Sequence, residues 1–412
     1  MTKNTGFGLD EAYITSAMAA WEIPGLSIAI VKDGLTVYSK GFGNLSANGT
    51  QLVDEHTLFT IGSCTKAFTA TALAMLVMDG KCSWDDRVRK YLPNFKLEDE
   101  SVAAKLTLRD LASHQSGVED GAITNIPAST LDEALANLAS LKAMRAQRAG
   151  FSYNNTMFAV LGQVVEKVSG MSWENFLQSR ILSPLGMTDS RATVAAASLV
   201  PNHALAHNKP KGARSPKVMP VKSLDFLASS AALQSSASDM AAWLKFQLAA
   251  TGSPSILSKP LLDEMHSEQL QVVPNPFTLM MHPGSTRHGY GLAWFNRDYA
   301  GTTIVQHGGY VDGFTSFVAM GPEYGFGVVV LTNMHNSLAP FAVAYRVIDA
   351  YLGVKETDWS SYFLQKRNEH RNKSNPHPEK KTIAAMRVTP LTAVPPTKST
   401  RKRRTSKKNR AK

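Results

Sequence analysis

The sequence predicts an α+β domain in which an antiparallel sheet is flanked by helices and carries an inserted, mainly helical region. Two observations lead to this prediction: β-rich runs lie near both ends of the chain, and the pattern between them is helical. We therefore expect one domain over residues 1–364, with its α+β part at about 1–80 and 230–364 and the helical insert at about 81–229. A disordered basic tail should follow at 365–412.

The N-terminal part of the sheet is predicted from a hairpin pattern. Residues 25–31 and 35–38 are β-rich, and they flank an Asp33-Gly34 pair. Asp-Gly is typical of the tight turns that join antiparallel strands. The sequence therefore predicts two antiparallel strands here.

The C-terminal part of the sheet is predicted from three further β-rich runs, at 302–306, 314–320 and 326–331. The last two are separated by the turn-forming residues 321–325. This spacing is typical of a meander of antiparallel strands.

Two helices between these ends are predicted with clear stop signals. One covers 66–78 and ends before Gly80, and the other covers 157–168 and ends before Gly170. Both are rich in apolar residues, so we expect them to pack in the interior of the domain.

The formal net charge of +11 over 412 residues is concentrated at one end of the chain. Residues 365–412 carry 16 Lys and Arg against two acidic residues, whereas residues 1–364 carry 28 basic and 31 acidic residues. The tail also contains five prolines and no sustained apolar period, so we expect it to be disordered. Such a segment either contacts nucleic acid or anionic membrane weakly or is a solvated appendage, and it implies no stable partner.

Composition and motifs exclude several other classes of protein. A hydrophobic content of 43% is that of a globular protein, and two cysteines make neither a disulfide framework nor a zinc site. No apolar run approaches the roughly 18 residues of a membrane-spanning helix, and Asp10 and Glu11 do not fit a signal peptide, so the expected location is cytoplasmic. Histidine ligand spacings, a P-loop, G-x-G-x-x-G and G-x-S-x-G are all absent from the sequence, so we expect no metal and no cofactor.

The first motif with chemical content is an S-x-x-K sequence from Ser63 to Lys66, which opens the helix predicted at 66–78. Residues i and i+3 share a helix face, so the Lys66 amine can reach the Ser63 hydroxyl. Burial of this apolar helix favours a neutral amine that acts as a base, and the helix N-terminus offers N–H groups to an oxyanion. The alternative is a helix-capping serine with a surface lysine one turn later.

The second motif is Tyr153-Asn154-Asn155, just before the second predicted helix. A tyrosine beside a lysine loses its proton more easily and can relay protons to and from Ser63. Asn155 can hydrogen-bond Lys66 or a substrate amide. The alternative is an aromatic residue packed at a helix start with an asparagine cap.

The third motif is His307-Gly308-Gly309, at the end of the first C-terminal β-rich run. Glycines let a substrate backbone approach a strand edge. The backbone N–H of Tyr310 is then placed to act with that of Ser63 as an oxyanion hole. The alternative is a strand-end histidine with a purely structural hydrogen bond.

In their order and separation, the three motifs resemble those of the penicillin-recognising serine hydrolases. This family includes class C β-lactamases, D-alanyl-D-alanine carboxypeptidases, D-aminopeptidases and β-lactamase-like esterases. The likeness runs from about Pro24 to Tyr351 and includes the stretches 84–93, 106–117 and 289–292.

The resemblance implies a role for each motif residue. Ser63 would be the acylated nucleophile, Lys66 and Tyr153 the proton-transfer pair, Asn155 a positioning residue and His307 part of the substrate-facing strand. The resemblance also implies the family's β-lactamase-like fold and a small ester, amide or peptide as substrate.

Two departures from the family pattern bear on the substrate. The β-lactamases usually carry Lys-Thr-Gly where this chain has His307-Gly308-Gly309, and the usual Gly-Gly is replaced by Ala231-Ala232. We therefore expect small esters or amides, including D-amino acid amides, as substrates. The alternatives are a true β-lactamase or D-alanyl-D-alanine carboxypeptidase, and a catalytically silent member of the fold that binds partners through its basic tail.

Overall fold

A computed structural model describes residues 9–120, 125–221, 223–249 and 252–374. Its helices are α1 (Glu11–Trp21), α2 (Thr65–Met78), α3 (Val88–Tyr91), α4 (Glu100–Ala103), α5 (Leu108–Ala112), α6 (Leu131–Ser140), α7 (Thr156–Ser169), α8 (Trp173–Leu177), α9 (Val194–Ala197), α10 (Ala228–Ala231), α11 (Ala237–Gln247), α12 (Lys259–His266), α13 (Pro276–Met281), α14 (Ala339–Leu352) and α15 (Trp359–Ser374). Its strands are β1 (Gly25–Lys32), β2 (Leu35–Gly43), β3 (Phe59–Thr60), β4 (His207–Asn208), β5 (Lys217–Val218), β6 (Gln234–Ser235), β7 (Leu270–Gln271), β8 (His288–Tyr290), β9 (Phe295–Tyr299), β10 (Thr302–Val311), β11 (Phe314–Gly321) and β12 (Phe326–Thr332).

Eight of these strands form one antiparallel sheet in the order β2-β1-β12-β11-β10-β9-β8-β7. The two ends of the chain meet within it, because β1 pairs with β12 and places Ile28 opposite Val330. Helices cover the sheet, and α3 to α9 fall within the predicted insert. The predicted α+β fold class and the antiparallel sheet are therefore confirmed.

The predicted hairpin is confirmed in detail. Strands β1 and β2 pair antiparallel, and the two residues between them, Asp33 and Gly34, have φ angles of 47° and 79°. Positive φ at both central residues is the geometry of the turn that matches the twist of paired strands. The Asp-Gly signal therefore predicted both the turn and its position.

The predicted meander is also confirmed, but its first strand is longer than expected. Strand β10 continues through Val311, where the sequence pattern predicted an end at Gln306. Residues 305–311 pair with β11, and this ladder keeps the chain extended through His307 and its two glycines. The third motif therefore lies inside a strand and not after it.

The core consists of two apolar layers, one on each face of the sheet. The side chains of Val329 and Leu331 join a layer with α2, α7 and α11, whereas Val328 and Val330 join a layer with α1 and α14. Successive residues of a strand point to opposite faces, so a strand buried on both sides is an unbroken apolar run. No helix among the described residues has the length and apolar character to cross a membrane.

The last described helix, α15, runs to Ser374 and so extends ten residues beyond the predicted start of the tail at 365. The chain lacks proline and glycine between 359 and 374, and Lys366 forms an i,i+3 ion pair with Glu369. These features support helix in a segment whose composition alone indicates disorder. By its internal contacts the chain divides into units at 1–365 and 366–412. The rest of the predicted tail, 375–412, lies outside the described residues.

Candidate active site

The first motif lies where a short 3-10 turn, Gly62–Cys64, leads into α2. Ser63 is in the turn and Lys66 is in the first turn of the α-helix. The side chain of Lys66 is completely buried, and its Nζ atom lies 3.2 Å from Ser63 Oγ. The helix-face argument therefore brought these two groups together correctly, and the alternative of a surface lysine is excluded.

The turn that carries Ser63 packs directly on β10, and two glycines make this approach possible. A Cβ atom on Gly309 would lie 1.9 Å from the carbonyl oxygen of Ile61, and one on Gly62, whose φ is 55°, would lie 3.0 Å from the Tyr310 nitrogen. Larger residues would push the strand away from the turn. Gly309 therefore allows the close contact between β10 and the Ser63 turn. The sequence had instead predicted that it leaves space for a substrate backbone.

Within the described residues, β10 has a strand neighbour on one side only beyond Gln306. It pairs with β9 from Thr302 to Gln306 and with β11 from Val305 to Val311. In the described part of the chain, no strand continues the β9 side along residues 307–311. Backbone groups on such an edge are available to an extended ligand, and Tyr310 lies on this edge next to Ser63.

The Lys66 amine has a polar but uncharged set of partners. Its Nζ atom lies 2.8 Å from Asn155 Oδ1, 3.2 Å from the Ser230 carbonyl oxygen and 3.1 Å from Ser230 Oγ. Burial lowers the pKa of Lys66 from 10.5 to about 7, and the more distant charge of Asp120 opposes this shift only in part. A substantial fraction of Lys66 is therefore neutral near pH 7 and able to accept a proton.

Tyr153 lies on the other side of the serine, and its hydroxyl donates to Ser63 Oγ at 2.9 Å. The sequence predicted that the nearby lysine would make this tyrosine easier to ionise. That prediction is wrong, because burial raises the pKa of Tyr153 above its usual value of 10. Tyr153 is accordingly a proton donor in the resting state, and Lys66 is the group whose pKa suits a base.

Asp120 is a site residue that the sequence did not predict. Its carboxylate accepts hydrogen bonds from the backbone N–H groups of Asn155 and Thr156, at 2.9 and 2.6 Å, and from the Asn155 side chain at 3.3 Å. It thus caps α7 from outside the helix and orients the amide that holds Lys66. No local pattern reveals this contact, because 35 residues separate Asp120 from Asn155.

Ser230 is the second missed residue, and it directly precedes the Ala231-Ala232 pair. Its side chain and carbonyl contact Lys66, and the neighbouring Ser229 carbonyl accepts from Thr69 at 2.6 Å. Helix α10 therefore forms a polar wall against the buried face of α2. The structure gives no reason for alanine in place of glycine at the two following positions.

His307 is buried and surrounded by aromatic rings. Its ring centre lies 5.3 Å from that of Phe295, its Nδ1 lies 2.8 Å from the Gly308 carbonyl oxygen, and its Nε2 lies 3.4 Å from the Tyr290 hydroxyl. Burial lowers the pKa of His307 to about 3. The imidazole is therefore neutral, and it lacks the charge that a lysine supplies at this position in β-lactamases.

A cleft of about 800 Å³ lies over the serine. Six of the residues predicted for the site line it: Ser63, Tyr153, Asn155, His307, Gly308 and Tyr310. Lys66 and Gly309, which are both buried, are not among the lining residues. Among the described residues, no group of three or more His, Cys, Asp or Glu side chains is arranged to hold a metal ion.

Comparison with known proteins agrees with this arrangement. A profile of the family described as Beta-lactamase matches residues 11–352, which include all three motifs. The chain belongs to the beta-lactamase family. This membership makes it a serine hydrolase and confirms the resemblance that the motifs indicated.

Two relatives of this beta-lactamase-family protein are longer than the segment that the chain matches. It is 29% identical over 390 residues to the unguisins hydrolase ungD' of Aspergillus campestris (strain IBT 28561), covering 88% of this chain and 70% of the relative. It is 26% identical over 329 residues to protein flp of Staphylococcus aureus (strain N315), covering 78% of this chain and 62% of the relative. The chain thus spans less than two thirds of the length of flp.

Two solved structures have a similar fold. The octameric penicillin-binding protein homologue from Pyrococcus abyssi superposes with a TM-score of 0.74 at 30% identity, over 84% of this chain and 77% of that one. A class C beta-lactamase superposes with a TM-score of 0.69 at 22% identity, over 84% of this chain and 95% of that one. The fold of the beta-lactamase-family protein is therefore that of penicillin-binding protein homologues and class C enzymes.

Proposed function

We propose that this protein cleaves small ester or amide substrates through an acyl-enzyme formed on Ser63. The observation that carries the proposal is the position of Ser63 Oγ, 3.2 Å from the buried amine of Lys66 and 2.9 Å from the hydroxyl of Tyr153. A serine is a weak nucleophile until a neighbouring base removes its proton. Membership of a hydrolase family, and a relative named as a hydrolase, support the same reaction class.

The hydrogen bonds around Lys66 are compatible with its neutral form. A neutral amine has two N–H donors, which Asn155 and Ser230 accept, and one lone pair, which is then directed to the Ser63 hydroxyl. Lys66 takes the serine proton while Ser63 Oγ attacks the substrate carbonyl. The backbone N–H groups of Ser63 and Tyr310 hold the resulting oxyanion.

Tyr153 completes the proton path. Its hydroxyl proton passes to the leaving oxygen or nitrogen as the carbonyl–leaving-group bond breaks, and Lys66 returns its proton to Tyr153. Water then attacks the acyl-enzyme, giving its proton to Lys66, and the acid product leaves as Ser63 is protonated again. No metal or cofactor takes part in these steps.

The third motif favours esters and simple amides over β-lactams as substrates. In β-lactamases a lysine at this position helps hold the substrate carboxylate, whereas His307 is buried and neutral here, with its pKa lowered to about 3. Gly308 likewise offers no hydroxyl. The strand edge can therefore bind the substrate backbone but lacks the usual cation.

The test is detection of a covalent adduct by intact-protein mass spectrometry. The panel contains a chromogenic cephalosporin, short-chain p-nitrophenyl esters and D-alanyl amides, and we expect an acyl adduct with the esters or amides. The replacement Ser63→Ala should abolish both adduct and turnover. Ser399→Ala is the matched control, because Ser399 begins the other S-x-x-K sequence, in the basic tail.

Each outcome of the panel has a distinct meaning. An adduct with the cephalosporin that is hydrolysed quickly would identify a β-lactamase, and turnover of the D-alanyl amides alone would identify a peptidase or amidase. Undiminished activity of the Ser63→Ala protein would overturn the nucleophile assignment. No adduct with any compound would favour the catalytically silent binding protein.

A further inference from the structure

His114 is a buried histidine at the end of α5, at a position where helices usually carry glycine. Its φ angle is 57°, and only 1% of its surface is exposed. Its backbone N–H donates to the Leu111 carbonyl oxygen at 3.2 Å, and the Gln115 N–H donates to the Asp110 carbonyl oxygen at 2.8 Å. This pair of bonds ends the helix without any side chain, and residues other than glycine are strained at positive φ. A histidine here therefore adds a cost that helix termination does not require.

The contacts of His114 lie on both sides of Tyr153 in the chain. The backbone N–H of Ser152 donates to the His114 carbonyl oxygen at 2.8 Å, and the N–H of Asn154 donates to His114 Nδ1 at 3.2 Å. The imidazole ring also packs on the Tyr153 ring, and the two ring centres lie 4.3 Å apart. One residue thus holds the chain before Tyr153, the chain after it and the aromatic ring itself.

The imidazole of His114 acts here as a neutral acceptor. Its Nδ1 atom accepts a backbone N–H, so the proton of the ring is on Nε2. Burial lowers the pKa of His114 well below 6.5, and the charge of Lys66 acts in the same direction. Nε2 has no acceptor among the described residues, and a buried donor of this kind is a second cost at the same residue.

The group that this support affects is the hydroxyl of Tyr153, which donates to Ser63 Oγ at 2.9 Å. A proton donor must lie within about 2.6–3.2 Å of the atom that it serves, and a displacement of about 1 Å can lower a rate about 100-fold. The hydroxyl lies at the far end of a long side chain, so a small rotation at the backbone moves it by a larger distance. Costs retained at one residue beside a reacting group are typical of a functional constraint.

We propose that His114 is the positioning residue of Tyr153, and that its carbonyl, its Nδ1 atom and its ring hold the Tyr153 hydroxyl where it can protonate the leaving group. This proposal rests on the proposed function of Ser63. His114 is not among the residues that line the cleft, so it acts through Tyr153 and not on the substrate.

The test compares two variants that both tolerate a positive φ. His114→Gly keeps the helix ending and removes the whole side chain. His114→Asn also adopts this conformation, and its Oδ1 atom can replace Nδ1 as the acceptor for the Asn154 N–H. Circular dichroism and the melting temperature verify that both variants are folded.

The readout is the ratio of kcat/KM for ethyl butyrate to kcat/KM for p-nitrophenyl butyrate. p-Nitrophenolate leaves without a proton at pH 8, whereas an alkoxide must be protonated as it leaves. We expect His114→Gly to lower kcat/KM about 10- to 100-fold for the ethyl ester and less than about threefold for the p-nitrophenyl ester. His114→Asn should recover most of this loss. An equal loss for the two esters, or no recovery in His114→Asn, would overturn the proposal.

His207→Ala is the matched control for removal of a buried histidine. His207 is also fully buried, and its Nε2 atom accepts the backbone N–H of Ala47 at 3.0 Å. We expect this variant to lower the melting temperature without changing the ratio. A ratio that falls as far as in His114→Gly would show that loss of packing alone produces the effect, and the proposal would fail.

A double-mutant cycle tests whether His114 acts through Tyr153. Tyr153→Phe removes the hydroxyl itself, so it should lower the ratio by at least as much as His114→Gly. Adding His114→Gly to Tyr153→Phe should then lower the ratio no further, because the two changes affect the same proton transfer. A further fall in the double variant would mean that His114 acts on another group, contrary to the proposal.

Crystal structures of the variants separate this proposal from the proposed function. The distance from the Tyr153 hydroxyl to Ser63 Oγ should increase by more than about 0.5 Å in His114→Gly and stay near 2.9 Å in His114→Asn. If the hydroxyl moves in this way but neither ester acylates Ser63 in wild type, the function fails and the positioning role stands. If wild type hydrolyses both esters and the hydroxyl and the ratio are unchanged in His114→Gly, the function stands and the positioning role fails.

Discussion

At the residue scale, the protonation state of Lys66 decides whether the site can work. Its amine is buried among Ser63, Asn155 and Ser230, and none of these partners carries a charge. Desolvation therefore dominates and lowers the pKa of Lys66 to about 7. Tyr153 has the opposite behaviour, since the same burial raises its pKa and keeps its proton in place.

The first prediction is a pH profile. The base must be neutral, so kcat/KM should fall about tenfold per pH unit below a midpoint near the Lys66 pKa of about 7 and level off above it. The measurement is kcat/KM for an activated ester between pH 5 and 9. Activity that decreases from pH 6 to pH 8 would contradict the assignment of Lys66 as base.

A variant that adds a negative charge next to Lys66 tests whether this residue controls the pH profile. Asn155→Asp places a carboxylate where the Asn155 amide oxygen now lies 2.8 Å from Lys66 Nζ. A negative charge at this distance favours the ammonium, so the midpoint should move up by about 1–3 pH units. A midpoint that stays in place would show that another group controls the profile.

At the scale of elements, helix α7 is held by a residue outside it. Asn155 occupies its N-cap position but makes no side-chain cap, and the Asp120 carboxylate accepts from the first N–H groups instead. An anion at a helix N-terminus is favoured by the helix dipole and by the unsatisfied donors there. One carboxylate thus supports a long buried helix and orients the amide next to Lys66.

The second prediction concerns this cap. Asp120→Ala should reduce the free energy of unfolding by about 1–2 kcal/mol and also lower kcat, because Asn155 loses its fixed orientation. Asp10→Ala is the control, since Asp10 caps α1 through the Ala12 N–H. It should cost a similar free energy without changing kcat, and equal kcat in both variants would show that Asp120 acts only on stability.

The third prediction concerns the contact between the Ser63 turn and β10. Gly309→Ala would bring a Cβ to 1.9 Å from the Ile61 carbonyl oxygen and 2.3 Å from Ser316 Oγ, so strand and turn must separate. We expect a loss of about 1–3 kcal/mol in the free energy of unfolding and a large loss of kcat. Gly49→Ala, where the nearest atom lies at an ordinary 3.4 Å, should change neither. Full activity of Gly309→Ala would show that the approach is not required.

At the scale of the whole chain, net charge and catalysis reside in different segments. Residues 1–364 contain the sheet, both apolar layers and the cleft, and they carry slightly more acidic than basic side chains. Residues 365–412, with 16 basic and two acidic side chains, carry more positive charge than the net +11 of the whole chain. Contacts with polyanions should therefore depend on the tail and not on the hydrolase.

The fourth prediction separates these two properties. Truncation after Ser374 should leave kcat/KM and the melting temperature unchanged, and it should remove retention on heparin at low salt, because it deletes 12 Lys and Arg and one acidic residue. Retention that persists after truncation would place the polyanion contact on the hydrolase itself.

The α+β class, the hairpin at Asp33-Gly34, the meander and the nearness of Ser63 to Lys66 could all be predicted from the amino-acid sequence. These features depend on residues close in sequence, through turn geometry, side-chain alternation and helix periodicity. The three motifs together also identified the family.

Features that depend on burial and on distant contacts could not be predicted, because they arise only in the folded chain. Asp120 and Ser230 reach the site from 35 and 164 residues away from their partners, Asn155 and Lys66. The raised pKa of Tyr153 and the lowered pKa of Lys66 follow from how much water the packed chain excludes, and that quantity has no local signature. The sequence therefore identifies the groups that can react, but the charges and hydrogen-bond partners of these groups depend on the folded structure.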